Sequence, residues 1–372
     1  MKELIINHFL DYEFVYIFLF CSFLFLFISI FINKQIIRKI SLLCFSVFFI
    51  LFVFEFVLSC FMPLPIMISK EQINSSTDVH KIKFLKHSRF YSNDTIHEFY
   101  DKDVNVDIDS SDFLTVYQRK YSMYSNDFRV TKCNPNSDEV YVFLGCSFVF
   151  GIGLQDSETS PYYFSEKFNF EKNIINCGVV AKSANTALNI LNNEKFSPLI
   201  KNKNTQIKSF VYTFIYDQLV RNFNYEDYKY RIDGYLYKNG KRYIPTTIGK
   251  VKNIFARSYI FRKVFVPMID EKFEQYYKDY MIKSLKQINK IVTEKYNSKL
   301  TIIVWPEFDE DFDKKFIDDL KTSNLDVIFL PGYFNSEEEG YRIKYDRHPT
   351  AKANKEIAEI LYNHMNEKDK TN

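Results

Sequence analysis

The stretch Val140-Tyr-Val-Phe-Leu-Gly-Cys-Ser-Phe-Val-Phe-Gly-Ile-Gly-Leu154 decides how the rest of the chain is read. Residues 140–144 form a short apolar run stopped by Gly145, the pattern of a strand buried in a parallel sheet. Ser147 comes two residues after that glycine. It therefore stands at the strand's C-terminal end, before a loop and helix, with its own backbone N–H open to an oxyanion. Gly145, Gly151 and Gly153 permit tight backbone turns around it. Taken alone a Gly-x-Ser after a strand is weak evidence of chemistry, because most such serines cap the next helix.

Working outward, further strands are expected at 174–177, 210–215, 300–305 and 327–330. Helical patterns separate them at 160–168, 184–191, 271–296, 309–322 and 350–366. Strands alternating with helices indicate an α/β fold, with a mainly parallel sheet covered on both faces and reactive groups at the strands' C-terminal ends. This domain spans 139–366, and a polar, turn-rich lead-in at 69–138 covers it, with short strands such as 113–117. The stretch 225–267 interrupts the alternation. It holds a hairpin turned at Asn239-Gly240 and a basic aromatic segment, Arg257-Ser-Tyr-Ile-Phe-Arg-Lys263. It is either a lid near the substrate mouth or a solvated surface hairpin. The tail at 367–372 is expected to fray.

Histidine count sharpens the reading of Ser147. Of six histidines, only His348 and His364 lie past residue 100, and His364 sits in a polar C-terminal stretch. If Ser147 needs an imidazole base, His348 is the natural choice, with Asp346 two residues earlier to orient the ring and stabilise its protonated form. A lone histidine before proline is more often structural. Its pairing with a serine at the far end of an α/β domain favours catalysis.

The N-terminal part reads differently. Two apolar runs at about 14–32 and 40–62 are each long enough to cross roughly 30 Å of hydrocarbon as a helix. No small-residue cleavage site follows the first, which argues against a signal peptide. Residues 1–68 are thus expected to form a two-helix transmembrane hairpin. Its short connector carries Lys34, Arg38 and Lys39, which places the turn in the cytoplasm and the domain after about residue 70 outside it. Glu55 marks either a partner or functional path within the second run, or a position close enough to the outer interface to reach water.

Composition excludes several classes. The 49 basic and 46 acidic residues leave a net charge of +3, and no Arg-rich or Gly-rich tract suggests nucleic acid. Cys133, Cys146 and Cys177 are the only cysteines after the apolar runs, an odd number that reads as free thiols, not a disulfide framework. There is no C-x-x-C and no His/Cys cluster, so neither zinc nor another cofactor is expected. The acidic run Glu307, Asp309, Glu310, Asp311, Asp313 is read as a solvated helix N-terminus.

Gly145-Cys-Ser147 with Gly151 and Gly153 is similar to the first motif block of the SGNH/GDSL hydrolases, usually Gly-Asp-Ser. Asn176-Cys-Gly-Val179 resembles the second block and Asp346-Arg-His348-Pro349 the last, in the family's order. The resemblance covers about 139–366 and is nearest to membrane-anchored bacterial members with a Gly-Cys-Ser-Phe first block. It implies an SGNH-type, flavodoxin-like three-layer sandwich that hydrolyses or transfers an O-acyl group, often acetyl on a carbohydrate. It also implies a triad of Ser147, His348 and Asp346, with the Ser147 and Gly178 N–H groups in the oxyanion hole. Three departures stand out. Cys146 replaces the usual Asp, one residue separates Asp346 from His348 where two are common, and the third-block Asn is missing. Gln218, Asn222 or Asn185 is left to donate in its place. The readings that follow are an extracytoplasmic esterase or acyltransferase acting on cell-surface glycan, an inactive glycan- or partner-binding module, and a lipid esterase.

Overall fold

The computed structural model describes residues 13–32, 34–61, 83–92, 95–101, 114–223, 236–238, 241–243, 265–306 and 314–371. The chain divides into two compact units, one of Met1–Met67, Phe223–Gly234 and Ile244–Gln275, the other of Ile68–Asn222, Tyr235–Tyr243 and Tyr276–Asn372.

In the first unit, helices α1 (Glu13–Phe31) and α2 (Gln35–Phe61) pack along one another, with Phe25 stacked on Phe48 at 5.5 Å. Ser22 and Ser29 are buried, each bonded back to its own helix through Phe18 O and Leu26 O. Phe20, Phe23, Ile36 and Leu43 instead face outward, each more than 60% exposed. Large apolar side chains turned out over both helices suit a hydrocarbon solvent. Gln35–Phe54 is long and apolar enough to cross a membrane, and Ile17–Phe31 is a shorter apolar helix. The Glu55 side chain and the basic aromatic segment at 257–263 lie outside the described residues.

The second unit opens with strands β1 (Lys83–Ser92), β2 (Thr95–Asp101) and β3 (Leu114–Met123), an antiparallel sheet ordered β2-β1-β3. The lead-in, where short strands such as 113–117 were expected, carries a three-stranded sheet. No continuous apolar run announces these strands in the sequence. The unit runs through residue 139 without a break.

Then follow β4 (Glu139–Gly145), α3 (Ser147–Phe150), α4 (Ser160–Glu166), β5 (Asn173–Gly178), α5 (Ala184–Asn192), β6 (Gln206–Phe214) and α6 (Asp217–Arg221). The short strands β7 (Leu236–Lys238) and β8 (Lys241–Tyr243) pair antiparallel, as expected of a hairpin there. Next come α7 (Val266–Lys272), α8 (Glu274–Tyr296), β9 (Lys299–Val304), α9 (Lys314–Lys321), β10 (Asp326–Phe329) and α10 (Ala351–Thr371). The acidic run at 307–313 lies outside the described residues.

The main sheet is ordered β10-β9-β6-β4-β5, and all four neighbouring pairs are parallel. Successive side chains point to opposite faces. Phe143, Ile174, Val211, Ile303 and Ile328 pack with Phe164 of α4 and with Ala353, Ile357 and Leu361 of α10. On the other face Phe210 meets Phe196 and Tyr296 at 5.6 and 5.1 Å, which seats the C-terminal turn of α8. Each buried phenylalanine contributes roughly 1.5–3 kcal/mol. The result is the expected α/β sandwich of three layers. The second strand in chain order lies on one side of the first and the third on the other. This is the flavodoxin-like arrangement, whose crevice opens where the order reverses, between β4 and β6.

The tail is not frayed. Helix α10 runs to Thr371 because His364 Nε2 and Lys368 Nζ both reach Asp326 Oδ1 on β10, at 2.8 and 2.5 Å, while Thr301 donates to Oδ2 at 2.9 Å. Burial pushes the Asp326 carboxyl upward, but the bonds from Lys368, His364 and Thr301 outweigh it and hold the group below its ordinary 3.8. A depressed folded pKa means stability that is present above the unfolded value and lost as pH falls through the folded one. Asp326→Asn is therefore expected to lower the urea midpoint at pH 7. The gap to wild type should close below about pH 4; a gap that stays constant with pH would show that the carboxylate charge contributes nothing.

Candidate active site

Ser147 begins α3 immediately beyond β4, at the crevice of the sheet. Gly151 ends this short helix in the left-handed region, at φ 83°, and its N–H returns to Ser147 O. The Ser147 N–H heads the helix and has no acceptor among the described residues.

The base approaches from the other end of the domain. His348 Nε2 lies 2.8 Å from Ser147 Oγ, and His348 Nδ1 lies 2.6 Å from Asp346 Oδ1. The Asp346 side chain is fully buried and the His348 side chain is 17% exposed. With Nδ1–H donating to the carboxylate, Nε2 is left to accept from the serine hydroxyl. Phe148 walls the imidazole at 5.4 Å between ring centres and meets Trp305 edge-on at 5.1 Å, so the ring is held against an apolar surface.

Backbone conformation explains how a carboxylate and an imidazole only two positions apart serve one another. Tyr345 and Arg347, on either side of Asp346, both sit in the left-handed region at φ 63° and 65°. The Asp346 and Arg347 N–H groups both donate to Ile343 O, and Ile343 N–H donates to His348 O. A bridge between Arg342 and Pro349 closes the base of this loop. Two non-glycine residues in a costly conformation, flanking the buried acid, are strain of the kind that collects at functional sites. Arg347→Val adds a β-branched side chain at that φ and is expected to cost about 1–3 kcal/mol, read from denaturant unfolding. Arg347→Gly should cost less than Val, and equal costs for the two would show that φ is not the cause.

The expected oxyanion donors fare unevenly. The Gly178 N–H is already committed, donating to Asn176 Oδ1 at 2.9 Å, while Asn176 Nδ2 donates to Val149 O at 2.9 Å. Buried Asn176 thus ties the end of β5 to the serine helix, and Gly178 is needed for closeness. Gln218 is fully buried, its Oε1 taking the Tyr212 hydroxyl at 2.8 Å and its Nε2 facing Thr213 O. Asn222 Nδ2 donates to Gln218 O at 3.0 Å. Asn185 Nδ2 donates to Asn222 O and its Oδ1 accepts from Tyr280 at 3.1 Å. Each of the three carboxamides thus meets a partner inside the protein.

One residue at this site had no signal in the sequence. Arg129 is 1% exposed and forms isolated bridges to Met123 and Asn176, which stitch the antiparallel sheet onto the β5 edge. Its guanidinium stacks on the Tyr121 ring at 4.4 Å and pairs with Asp156 at 2.9 Å. Burial pulls the guanidinium below the ordinary arginine value, and Asp156 opposes that. Burial likewise pushes the Tyr121 phenol up to about 12, so Tyr121 stays neutral and its oxygen accepts the Gly153 N–H at 2.9 Å.

No family model matches the sequence, and no curated protein matches it. Solved structures do resemble it, among them the following three. One, from Desulfitobacterium hafniense and assigned to a lipolytic G-D-S-L family, is 12% identical with a TM-score of 0.37, over 61% of this chain and 99% of its own. Another, assigned as an SGNH hydrolase from Slackia heliotrinireducens, is 11% identical with a TM-score of 0.32, over 61% of this chain and 98% of its own. The third, a gut microbial diltiazem-metabolizing enzyme, is 15% identical with a TM-score of 0.29, over 53% of this chain and 38% of its own. Two of the three carry the family name that the motifs suggest. Likeness at these TM-scores says nothing about chemistry.

Proposed function

We propose that this chain is a serine-dependent O-acyl esterase or acyltransferase, held at a membrane by its N-terminal helices and acting on cell-surface glycan. The observation that carries the reading is the continuous hydrogen-bonded line from Ser147 Oγ through the His348 ring to buried Asp346, at the crevice of a parallel sheet. His348 takes the Ser147 proton as Oγ attacks an ester carbonyl, and Asp346 stabilises the imidazolium. The Ser147 N–H faces the developing oxyanion. The C–O bond to the alcohol then breaks, His348 returns its proton to the leaving oxygen, and the acyl group stays on Ser147. Water attacking this ester completes hydrolysis; a sugar hydroxyl completes transfer. An apolar helix at Gln35–Phe54 favours a membrane setting, and the cationic connector favours an extracytoplasmic domain.

A second reading, a binding module without turnover, draws on the committed donors of Gly178, Gln218 and Asn222. Loss of one oxyanion donor costs about 10²–10³-fold in rate, which leaves a slow enzyme before it leaves none. Full-length protein in detergent, treated with a fluorophosphonate probe and digested, should yield a single adduct on Ser147, together with turnover of para-nitrophenyl acetate. Folded wild-type protein that takes no label would move the assignment to the binding module.

A further inference from the structure

The carbonyls beyond the serine helix converge on one side chain. Arg129 Nη1 donates to Phe150 O at 2.8 Å and Gly151 O at 2.6 Å, and Nη2 donates to Leu154 O at 2.8 Å. Its Nε donates to Asp156 Oδ1 at 2.9 Å, and Asp156 in turn accepts from the Ser122 N–H of β3. Gly153 is gripped from both sides, its N–H by the Tyr121 hydroxyl and its carbonyl by Arg119 Nε at 3.0 Å. Tyr117, Tyr121 and Met123 of β3 pack with Phe150 and Ile152, and with Ile343 at the base of the histidine loop. A Cβ added at Gly151 would lie 2.9 Å from Arg129 Nη1, so the close seat of the guanidinium depends on glycine there.

We propose that Arg129 is a positioning residue for Ser147: its guanidinium fixes the backbone from Phe150 to Leu154, and through it the rotation of the helix that aims Oγ at His348. The antiparallel sheet is then part of the reactive apparatus, since it carries both the aromatic stack beneath Arg129 and the grip on Gly153. The clamp rests on the serine-hydrolase reading for its purpose but not for its existence. Only a planar fork can serve carbonyls on both sides of a turn while pairing with a carboxylate, so lysine cannot replace it. A displacement near 1 Å at a reacting atom costs about 100-fold in rate.

The test uses full-length wild-type protein, Arg129→Lys, Arg129→Ala and Tyr121→Phe in detergent. It reads fluorophosphonate labelling across probe concentrations, amide hydrogen exchange, and the thermal midpoint. Arg129→Lys should label about 10- to 100-fold more slowly at saturating probe, with the half-saturating concentration unchanged. Exchange in peptides covering 148–154 should rise at least about tenfold while peptides from β9 and α10 stay as in wild type. In Arg129→Ala, millimolar guanidinium should restore part of the rate. The proposal is overturned if folded Arg129→Lys keeps wild-type labelling and exchange, if exchange rises evenly over the whole unit, or if all three variants fail to fold. Absence of labelling in wild type would remove the hydrolase reading and leave the exchange result to decide the clamp alone.

Discussion

His348→Ala and Ser147→Ala are each expected to lower turnover of para-nitrophenyl acetate by about 10⁴- to 10⁶-fold, and the double variant to be no slower than either alone. The reason lies in the shared hydrogen bond of 2.8 Å between Nε2 and Oγ. Once the imidazole is gone the hydroxyl has no proton acceptor, and once the hydroxyl is gone the imidazole has nothing to activate. Asp346→Asn tests the far end of the line. The carboxylate accepts from His348 Nδ1 at 2.6 Å, and an asparagine amide there would face the ring with a donor or lose the orienting bond. About 10⁴-fold loss is expected, with thermal midpoints of all variants near wild type. Additive losses in the double variant would show that the two residues do not act as a unit.

The elements legible in the sequence were those that carry an apolar run. β4, β5, β6, β9 and β10 read as apolar runs because a strand covered by helices on both faces is hydrophobic at every position. Ser147 and His348 were legible because one follows a strand-ending glycine and the other was the better placed of two histidines left in the domain. What stayed hidden depended on partners distant in the chain. β3 carries the polar run Gln118-Arg-Lys120 in its middle, and its partner face, on Phe150 and Ile152, is visible only once the chain is folded. Arg129 lies in Arg-Val-Thr-Lys-Cys133, where a charged residue reads as solvated, yet its acceptors are carbonyls 21 to 25 positions away. The choice among the oxyanion candidates stayed open for a related reason. Spacing can place Gln218 and Asn222 after a strand, but not tell which group each carboxamide meets once the chain is folded.

Gly178→Ala is expected to be the most damaging single methyl in the domain. A Cβ there would lie 2.3 Å from Phe150 N, 2.8 Å from Val149 C and 2.9 Å from Phe150 Cα. All three are backbone atoms of the serine helix, so no side chain can swing aside to make room. Asn176 blocks the remaining escape, since its carboxamide joins the Gly178 N–H to Val149 O and would have to stretch one bond or break the other. Either the helix lifts from the sheet, carrying Ser147 with it, or the end of β5 separates from β4 where Gly178 pairs with Gly145. Overpacking of this kind costs about 1–3 kcal/mol and at times more, and a shift near 1 Å at the hydroxyl would cost about 100-fold in labelling rate. Both should appear together, as a lowered thermal midpoint and slowed fluorophosphonate labelling. Gly178 is thus required for steric closeness, its N–H being bonded to Asn176 Oδ1 already. A variant with wild-type stability and slowed labelling would instead return the Gly178 N–H to the oxyanion hole.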